Sequence, residues 1–155
     1  MLCKHIAINF IKRQLYIGLW NKLSMEKKMI FLAGPRQAGK TTIAKEIAKK
    51  YKNNIYFNWD IISDQQKIIN NSTFFEQINR IDNSTPFVVL DEIHKYKKWE
   101  NYLKGIYDEF HSDYFFLISG SGRLDLYQKS GDSLAGRYLM FHLFPFTISE
   151  LSGKK

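Results

Sequence analysis

Short, continuous runs of apolar residues recur along the chain and are separated by longer stretches that mix polar and apolar residues. Apolar runs of this length are typical of strands buried on both faces of a parallel sheet. Pro86 stands at the first position of one run, where a strand tolerates proline. The runs predict five strands, at residues 29–34, 54–60, 86–92, 114–120 and 137–146.

The stretches between the predicted strands carry apolar residues at helical spacing. They predict helices at residues 40–51, 61–80 and 99–110, the second of them weakly patterned, and a last helix that begins at Thr147. Strands that alternate with helices in this way predict one α/β domain. Its mainly parallel five-stranded sheet would be covered by helices on both faces.

A further helix is predicted ahead of the first strand. Its apolar positions lie close to helical spacing, with basic residues between them: Ile8, Ile11, Leu15, Leu19 and Leu23. This pattern favours a basic amphipathic helix within residues 1–28 that packs on a core at 29–155. A helix lying on a membrane surface is the alternative.

The composition is that of a globular domain of 155 residues, with 45% hydrophobic and 25% charged side chains. The formal net charge of +8 comes from the front of the chain, where residues 1–52 hold 12 Lys or Arg and 2 Asp or Glu. A basic front suits phosphates, nucleic acid or an anionic membrane surface. Because Lys, Asn and Ile are abundant throughout, composition alone also explains the charge, and nucleic acid stays open as a partner without being indicated.

Signals for targeting and for disulfide or zinc chemistry are absent from the sequence. No apolar run reaches the length of a membrane span. Lys12 and Arg13 interrupt the segment where a signal peptide would need its apolar region, so a cytoplasmic location is expected. A single cysteine, Cys3, excludes an intrachain disulfide and a zinc site built from cysteines.

The segment FLAGPRQAGKTT, at residues 31–42, runs from a predicted strand through a loop into a predicted helix. It fits the pattern G-x-x-x-x-G-K-[ST], in which glycines let backbone N–H groups turn inward toward phosphate oxygens. The loop also stands at a helix N-terminus, which favours anions. We expect Lys40 to contact the β- and γ-phosphates and Thr41 to ligate Mg²⁺. The predicted phosphate-binding residues are Gly34, Pro35, Arg36, Gln37, Ala38, Gly39, Lys40, Thr41 and Thr42.

The third predicted strand ends in two carboxylates, Asp91 and Glu92. Phosphoryl transfer to water needs a carboxylate that helps to hold Mg²⁺ and a base that orients the water. Asp91 suits the first role and Glu92 the second. Both would lie at the carboxyl ends of parallel strands, where open α/β sheets bind ligands.

Polar residues near other strand ends are weaker candidates. Ser119 and, ahead of it, Ser121 are candidate sensors of the γ-phosphate, with a plain serine–glycine turn as the alternative. Asn58 could hold Glu92 inactive until a partner binds, or could simply form a turn. His94 completes an Asp-Glu-x-His sequence of the kind found in superfamily-two helicases. A helicase needs a second recombinase-like domain, for which this chain has no room, so a solvated or capping histidine is the better interpretation.

Two of the five arginines, Arg123 and Arg137, follow glycine in the motifs GSGR and LAGR. The planar guanidinium suits the charge that develops on a transferred phosphoryl group. Either arginine could act as an arginine finger, in its own chain or in a neighbouring subunit. A structural salt bridge is the alternative for both.

Together these segments resemble one family, the AAA-type ATPases of bacteria and archaea whose phosphate loop reads GPRQxGKTT. The resemblance rests on GPRQAGKTT, on Trp99 after the Asp-Glu pair, and on SLAGR ahead of FPFTISEL. It extends over residues 10–151.

The resemblance implies a P-loop NTPase fold of ASCE type, a three-layer α/β sandwich whose fourth strand lies between the first and third. It also implies ATP and Mg²⁺ as ligands. Family proteins continue into a helical lid and a C-terminal domain of unknown function, and the expectation is that this chain lacks both. The residues that correspond to the family's site are Lys40, Thr41, Asp91, Glu92, Ser121 and Arg137.

Three functions are consistent with these features. The first is an ATPase that hydrolyses Mg²⁺-ATP, and the second is a nucleotide-binding interaction module with little turnover. The third is a nucleic-acid-dependent ATPase. A homo-oligomer is a candidate assembly for each of them.

Overall fold

The computed structural model describes residues 13–121 and 133–152, and its sheet has five strands. All strand pairs are parallel, and the order across the sheet is β2-β3-β4-β1-β5. The fourth strand therefore lies between the first and the third, which confirms the expected P-loop topology. The strands are β1 (Met29–Ala33), β2 (Asn54–Asn58), β3 (Phe87–Asp91), β4 (Phe115–Ser119) and β5 (Tyr138–His142).

Five helices accompany these strands in the described part of the chain. They are α1 (Gln14–Leu23), α2 (Lys40–Ala48), α3 (Ile62–Asn70), α4 (Trp99–Phe110) and α5 (Ile148–Ser152). Three short 3-10 turns lie between them, at Ser24–Glu26, Phe74–Gln77 and Ile93–Lys95.

Most predicted elements end slightly early, and two of them end four or more residues before the pattern indicated. The helix predicted at 61–80 ends at Asn70, because Asn71 has an extended backbone, and a separate 3-10 turn carries Phe74 and Phe75 into the core. The strand predicted at 137–146 ends at His142. Its apolar continuation leaves the sheet, and Phe144 and Phe146 lie exposed.

Alternate side chains of each strand enter two hydrophobic layers, one on each face of the sheet. Val88 and Leu90 face a layer shared with α4 and the 3-10 turn at Phe74–Gln77. Phe87 and Val89 face the other layer, which is shared with α1 and α2. The result is the three-layer sandwich that the alternating pattern predicted.

Helix α1 packs on the core through a face rotated from the predicted one: of the predicted positions, Leu19 and Leu23 pack partly buried against the core, but Leu15 does not. Tyr16 and Trp20 are buried, whereas Leu15 is 69% exposed. Trp20 lies against Phe87 with ring centroids 4.9 Å apart, and its indole N–H donates to the Tyr51 hydroxyl at 2.8 Å. The aromatic rings bury more area than leucine would and so determine the rotation of the helix. The predicted positions Ile8 and Ile11 lie outside the described residues.

Within residues 13–121 and 133–152, no helix combines the length and the apolar character that crossing a bilayer requires.

Candidate nucleotide-binding site

The strands' carboxyl ends meet at one edge of the sheet, where their register aligns the candidate polar residues. Asn58 pairs with Asp91, and Asp91 pairs with Ser119. The phosphate loop begins at this same edge, directly after Ala33, and ends where α2 starts at Lys40. An open cleft of about 600 Å³ lies above it. The cleft is lined by Arg36, Gln37, Gly39, Lys40, Thr41, Thr42, Asn58, Asp60, Glu92 and Lys95.

Glycine is required at two positions of the loop. Gly34 has φ +148°, and a Cβ placed on it would lie 2.3 Å from the carbonyl oxygen of Leu143. Gly39 has φ +91° and stands at the N-cap of α2. These two glycines let the chain turn sharply between β1 and α2, so that the loop lies around the helix N-terminus.

The Lys40 side chain is folded back onto the loop. Its ammonium donates to the carbonyl oxygens of Gly34 and Pro35, at 2.9 and 2.8 Å. Burial lowers the pKa of Lys40, and the nearby carboxylates of Glu92 and Asp91 oppose that shift. These neutral acceptors bind an ammonium more weakly than anionic oxygens do, so a phosphate at the loop would compete well for Lys40.

Thr41 and Tyr56 both donate hydrogen bonds to the buried carboxylate of Asp91. Asp91 is 1% exposed, and its Oδ2 accepts from the Thr41 hydroxyl at 2.7 Å and from the Tyr56 hydroxyl at 2.5 Å. Burial, followed by the hydrogen bond to Asp91, raises the pKa of Tyr56, so the phenol stays protonated and donates.

The other carboxylate oxygen of Asp91, Oδ1, is buried and has no hydrogen-bond partner among the described residues. A buried carboxylate with an unsatisfied oxygen, held beside a threonine hydroxyl, fits a hard divalent cation such as Mg²⁺. Mg²⁺ characteristically takes one or two protein carboxylates and fills its remaining positions with water and phosphate oxygens. The donor set of Thr41 and Asp91 therefore matches the predicted metal role.

Glu92 follows Asp91 in a left-handed conformation, with φ +58°. Its N–H donates to the Ser119 carbonyl at 2.8 Å, which ties the turn to β4. Its carboxylate lies 3.1 Å from the Lys95 ammonium. Lys95 also donates to both carboxylate oxygens of Asp60 at 2.7 Å, and these bonds raise its pKa.

The predicted role of Asn58 in holding Glu92 does not match the contacts observed. The Asn58 side-chain oxygen accepts from the backbone N–H of Asp60 at 2.9 Å, as a turn former does. Asn58 lines the same cleft. The cation that engages Glu92 is Lys95, so an ion pair takes the position expected for the asparagine.

His94 is buried rather than solvated, which corrects the interpretation from sequence. Its side chain is 4% exposed, and its Nε2 lies 3.1 Å from the Ser121 hydroxyl and 3.8 Å from the Glu92 carboxylate. Ser121 is thus brought next to the acidic pair through His94. Ser119 is fully buried, and its hydroxyl has no hydrogen-bond partner among the described residues.

Arg137, one of the two candidate arginine fingers, is not brought to the phosphate loop. Arg137 directly precedes β5, and its carbonyl accepts from Met29 N–H at the start of β1. It therefore lies at the opposite edge of the sheet from the phosphate loop. There its guanidinium pairs with Asp108 of α4 at 2.7 Å, which is the structural salt bridge considered as the alternative. Arg123 lies outside the described residues.

Comparison with known proteins identifies the family. A family model described as "AAA domain" matches residues 26–152. The chain belongs to the AAA domain family. Its fold and family establish an AAA-type nucleotide-binding domain. A search of curated proteins found no match to the sequence.

Two solved structures contain larger chains with a similar fold. One is a chain in the structure of Drosophila ORC bound to AT-rich DNA and Cdc6, with a TM-score of 0.54 and 14% identity. The match covers 90% of this chain and 57% of that one. The other is a chain in the structure of Drosophila ORC bound to GC-rich DNA and Cdc6, with a TM-score of 0.52 and 13% identity. It covers 87% of this chain and 57% of that one, so the AAA domain here spans little more than half of either neighbour.

Sequence reasoning missed Tyr56 and Lys95 as residues of the site. Tyr56 looks like an ordinary aromatic strand residue, and only the pairing of β2 with β3 brings its hydroxyl to Asp91. Lys95 did carry a signal, because it stands three residues after Glu92, a spacing at which side chains meet in a helical turn.

Proposed function

We propose that this AAA domain binds Mg²⁺-ATP at the phosphate loop and hydrolyses it. The observation that supports this most strongly is the group formed by Thr41, Asp91 and Lys40. A hydroxyl, a buried carboxylate with an unsatisfied oxygen and a lysine ammonium converge where the loop meets α2. Convergence of these three chemistries at a helix N-terminus suits a nucleoside triphosphate with its metal.

On ATP binding, the loop N–H groups and the α2 N-terminus would hold the β-phosphate. Lys40 would exchange the carbonyls of Gly34 and Pro35 for β- and γ-phosphate oxygens. Thr41 and Asp91 would hold Mg²⁺, with Tyr56 keeping the Asp91 carboxylate in place. When bound, Mg²⁺ supplies electrostatic stabilisation of the charge that develops on the β- and γ-phosphates.

Glu92 is the proposed base. It would accept a hydrogen bond from the attacking water and take its proton, which later passes to solvent. The water oxygen forms a bond to the γ-phosphorus while the bond to the β–γ bridging oxygen breaks, and ADP leaves with that electron pair. In the structure the Glu92 carboxylate is paired with Lys95, so it has to exchange Lys95 for water before it can act as a base.

Phosphate release from Mg²⁺-ATP tests the proposal with three variants. Glu92→Gln should retain ATP binding and lose turnover by about a hundredfold or more, within the range of general base catalysis. Asp91→Asn should raise the Mg²⁺ concentration that half-maximal phosphate release requires, because an amide binds Mg²⁺ more weakly than a carboxylate. Glu109→Gln, an exposed change of the same kind on α4, serves as the control and should match wild type. Equal, non-zero rates in wild type and Glu92→Gln would remove Glu92 from its role.

A nucleotide-binding interaction module with little turnover is the second candidate. The Lys95–Glu92 ion pair favours it, because a base held by a cation in the nucleotide-free chain is not poised for catalysis. Tight ATP binding without phosphate release would support this candidate.

Two further proposals concern partners. Because both neighbouring structures are of ORC bound to DNA and this chain has a basic front, nucleic acid should be added to the phosphate-release assay at low and high salt. Absence of stimulation at low salt would exclude a nucleic-acid-dependent ATPase. Arg137 lies away from the phosphate loop of its own chain. It could therefore act as an arginine finger only at the nucleotide site of a second copy in a homo-oligomer.

A further inference from the structure

Arg13, the residue directly before α1, is a buried cation with no assigned role. It is 7% exposed, and a guanidinium removed from water has to be compensated by hydrogen bonds and charge. The Glu150 carboxylate supplies the charge, at 3.0 Å from Nε. The rings of Tyr16 and Phe146 lie 4.4 and 4.6 Å from the guanidinium carbon and provide cation–π contacts.

The fork of Arg13 joins three separate segments of the chain. Nε donates to Glu150 of α5, Nη2 donates to the Phe144 carbonyl at 2.7 Å, and Nη1 donates to the Ala38 carbonyl at 3.1 Å. The last of these contacts is inside the phosphate loop. Arg13 therefore couples α1 and the segment after β5 to the loop that would hold the nucleotide.

The contact with Ala38 has a direct geometric consequence. A trans peptide group is planar, and its C=O and N–H point in opposite directions. Because the Ala38 carbonyl points at Arg13, the N–H of Gly39 in the same peptide group points away from Arg13. Gly39 lines the cleft, and its N–H is one of those that an anion at the loop would use.

We propose that Arg13 is a positioning residue for phosphate binding, which orients the Ala38–Gly39 peptide and is itself held by Glu150. The inference rests on the proposed nucleotide site. It predicts that lysine cannot replace Arg13, since one ammonium cannot donate along the three separate directions that Nε, Nη1 and Nη2 occupy.

Binding of Mg²⁺-ATP and of Mg²⁺-tripolyphosphate, measured by calorimetry well below the melting temperature, tests the proposal. Tripolyphosphate lacks the base and sugar, so it isolates the phosphate cradle. Arg13→Lys should weaken both ligands by about tenfold or more, the effect of one lost charge-assisted hydrogen bond. The matched control is Arg80→Lys, because Arg80 also stacks on a tyrosine and donates to its hydroxyl, outside the cleft. The control should stay within about twofold of wild type.

A second variant and a local readout separate positioning from general stability. Glu150→Gln keeps the shape of the side chain but removes the charge that holds Arg13. Like Arg13→Lys, it should weaken tripolyphosphate binding, and it should shift the NMR amide resonance of Gly39. Arg80→Lys should leave that resonance unchanged. A merely structural role for Arg13 would lower the melting temperature and leave the Gly39 resonance and the affinity of the folded variant unchanged.

The outcomes distinguish this inference from the proposed function. If wild type binds neither ligand, the nucleotide site itself is refuted. If wild type binds both and the folded Arg13→Lys and Glu150→Gln variants bind them equally well with an unshifted Gly39 amide, the role of Arg13 is overturned.

Discussion

Replacing Gly34 by alanine should destabilise the domain because the loop passes very close to the segment after β5. A Cβ at position 34 would lie 2.3 Å from the carbonyl oxygen and 3.2 Å from the carbonyl carbon of Leu143. These atoms are backbone and cannot rotate away. Leu143 is also tied to β1, since its N–H donates to the Ala33 carbonyl at 2.8 Å.

Two costs therefore add for Gly34→Ala. Relieving the contact requires a backbone shift, which costs about 1–3 kcal/mol, as other cases of overpacking do. Holding alanine at φ +148° costs a further ~1–3 kcal/mol of backbone strain. The expected loss of about 2–6 kcal/mol is a large part of a typical unfolding free energy of about 5–15 kcal/mol.

Urea denaturation followed by tryptophan fluorescence measures this loss, and Gly105→Ala is the control. Gly105 lies within α4, and a Cβ there would meet nothing within 4 Å. Because alanine is the better helix former, the control should gain up to about 1 kcal/mol. A Gly34→Ala variant within about 0.5 kcal/mol of wild type would refute the close approach of the loop to Leu143.

Three further predictions test the core, the site and the sheet edge. Trp20→Ala should lower the unfolding free energy by about 3–5 kcal/mol, whereas Leu15→Ala should change it by no more than about 0.5 kcal/mol; equal losses in urea denaturation would contradict the observed face of α1. The raised pKa of Tyr56 stabilises the fold fully below the unfolded pKa of about 10, and this contribution is lost as pH rises through the folded pKa. From pH 9 upward, the free energy of unfolding should therefore fall less steeply with pH for Tyr56→Phe than for wild type. Equal pH dependence in the two proteins would argue against a raised pKa of the Tyr56 phenol. Arg137→Ala should leave the Mg²⁺-ATP affinity of the monomer unchanged, and a clear loss in calorimetry would contradict its place at the far edge of the sheet.

The fold was predictable because its signals are local. Each strand is an apolar run, and each main helix has a periodic face, so the alternation of the two determines the three layers. The errors occurred where packing between distant residues outweighs the local pattern. Leu15 has the right spacing to be buried. However, the larger rings of Trp20 and Tyr16 pack in the same layer, and the helix orientation that buries them leaves Leu15 exposed.

The residues of the site also fall into two groups, those that a local motif predicts and those that only the fold brings together. Gly34, Lys40 and Thr41 belong to one continuous motif, and Asp91 ends an apolar strand, so sequence alone could predict their convergence. Tyr56 could not be predicted in this way, because its hydroxyl reaches Asp91 only through the pairing of β2 with β3.

Arg13 and Arg137 show the limit more clearly. Both are arginines near loops or termini, and their neighbours in sequence do not distinguish them. Arg13 contacts Ala38, 25 residues away, and Glu150, 137 residues away. Arg137 instead pairs with Asp108 of α4, at the end of the sheet opposite the phosphate loop. Such contacts depend on the completed topology, so they could be found only from the structure.

Calorimetric titration of the chain with Mg²⁺-ATP, in wild type and in Lys40→Ala, tests the central claim most directly. Lys49→Ala, which removes an exposed lysine just after α2, is the matched control. The account predicts saturable binding by wild type and by the control, and a loss of affinity of about tenfold to a hundredfold in Lys40→Ala. No binding by folded wild type, or equal affinity in Lys40→Ala, would contradict the assignment of the phosphate loop as a nucleotide site.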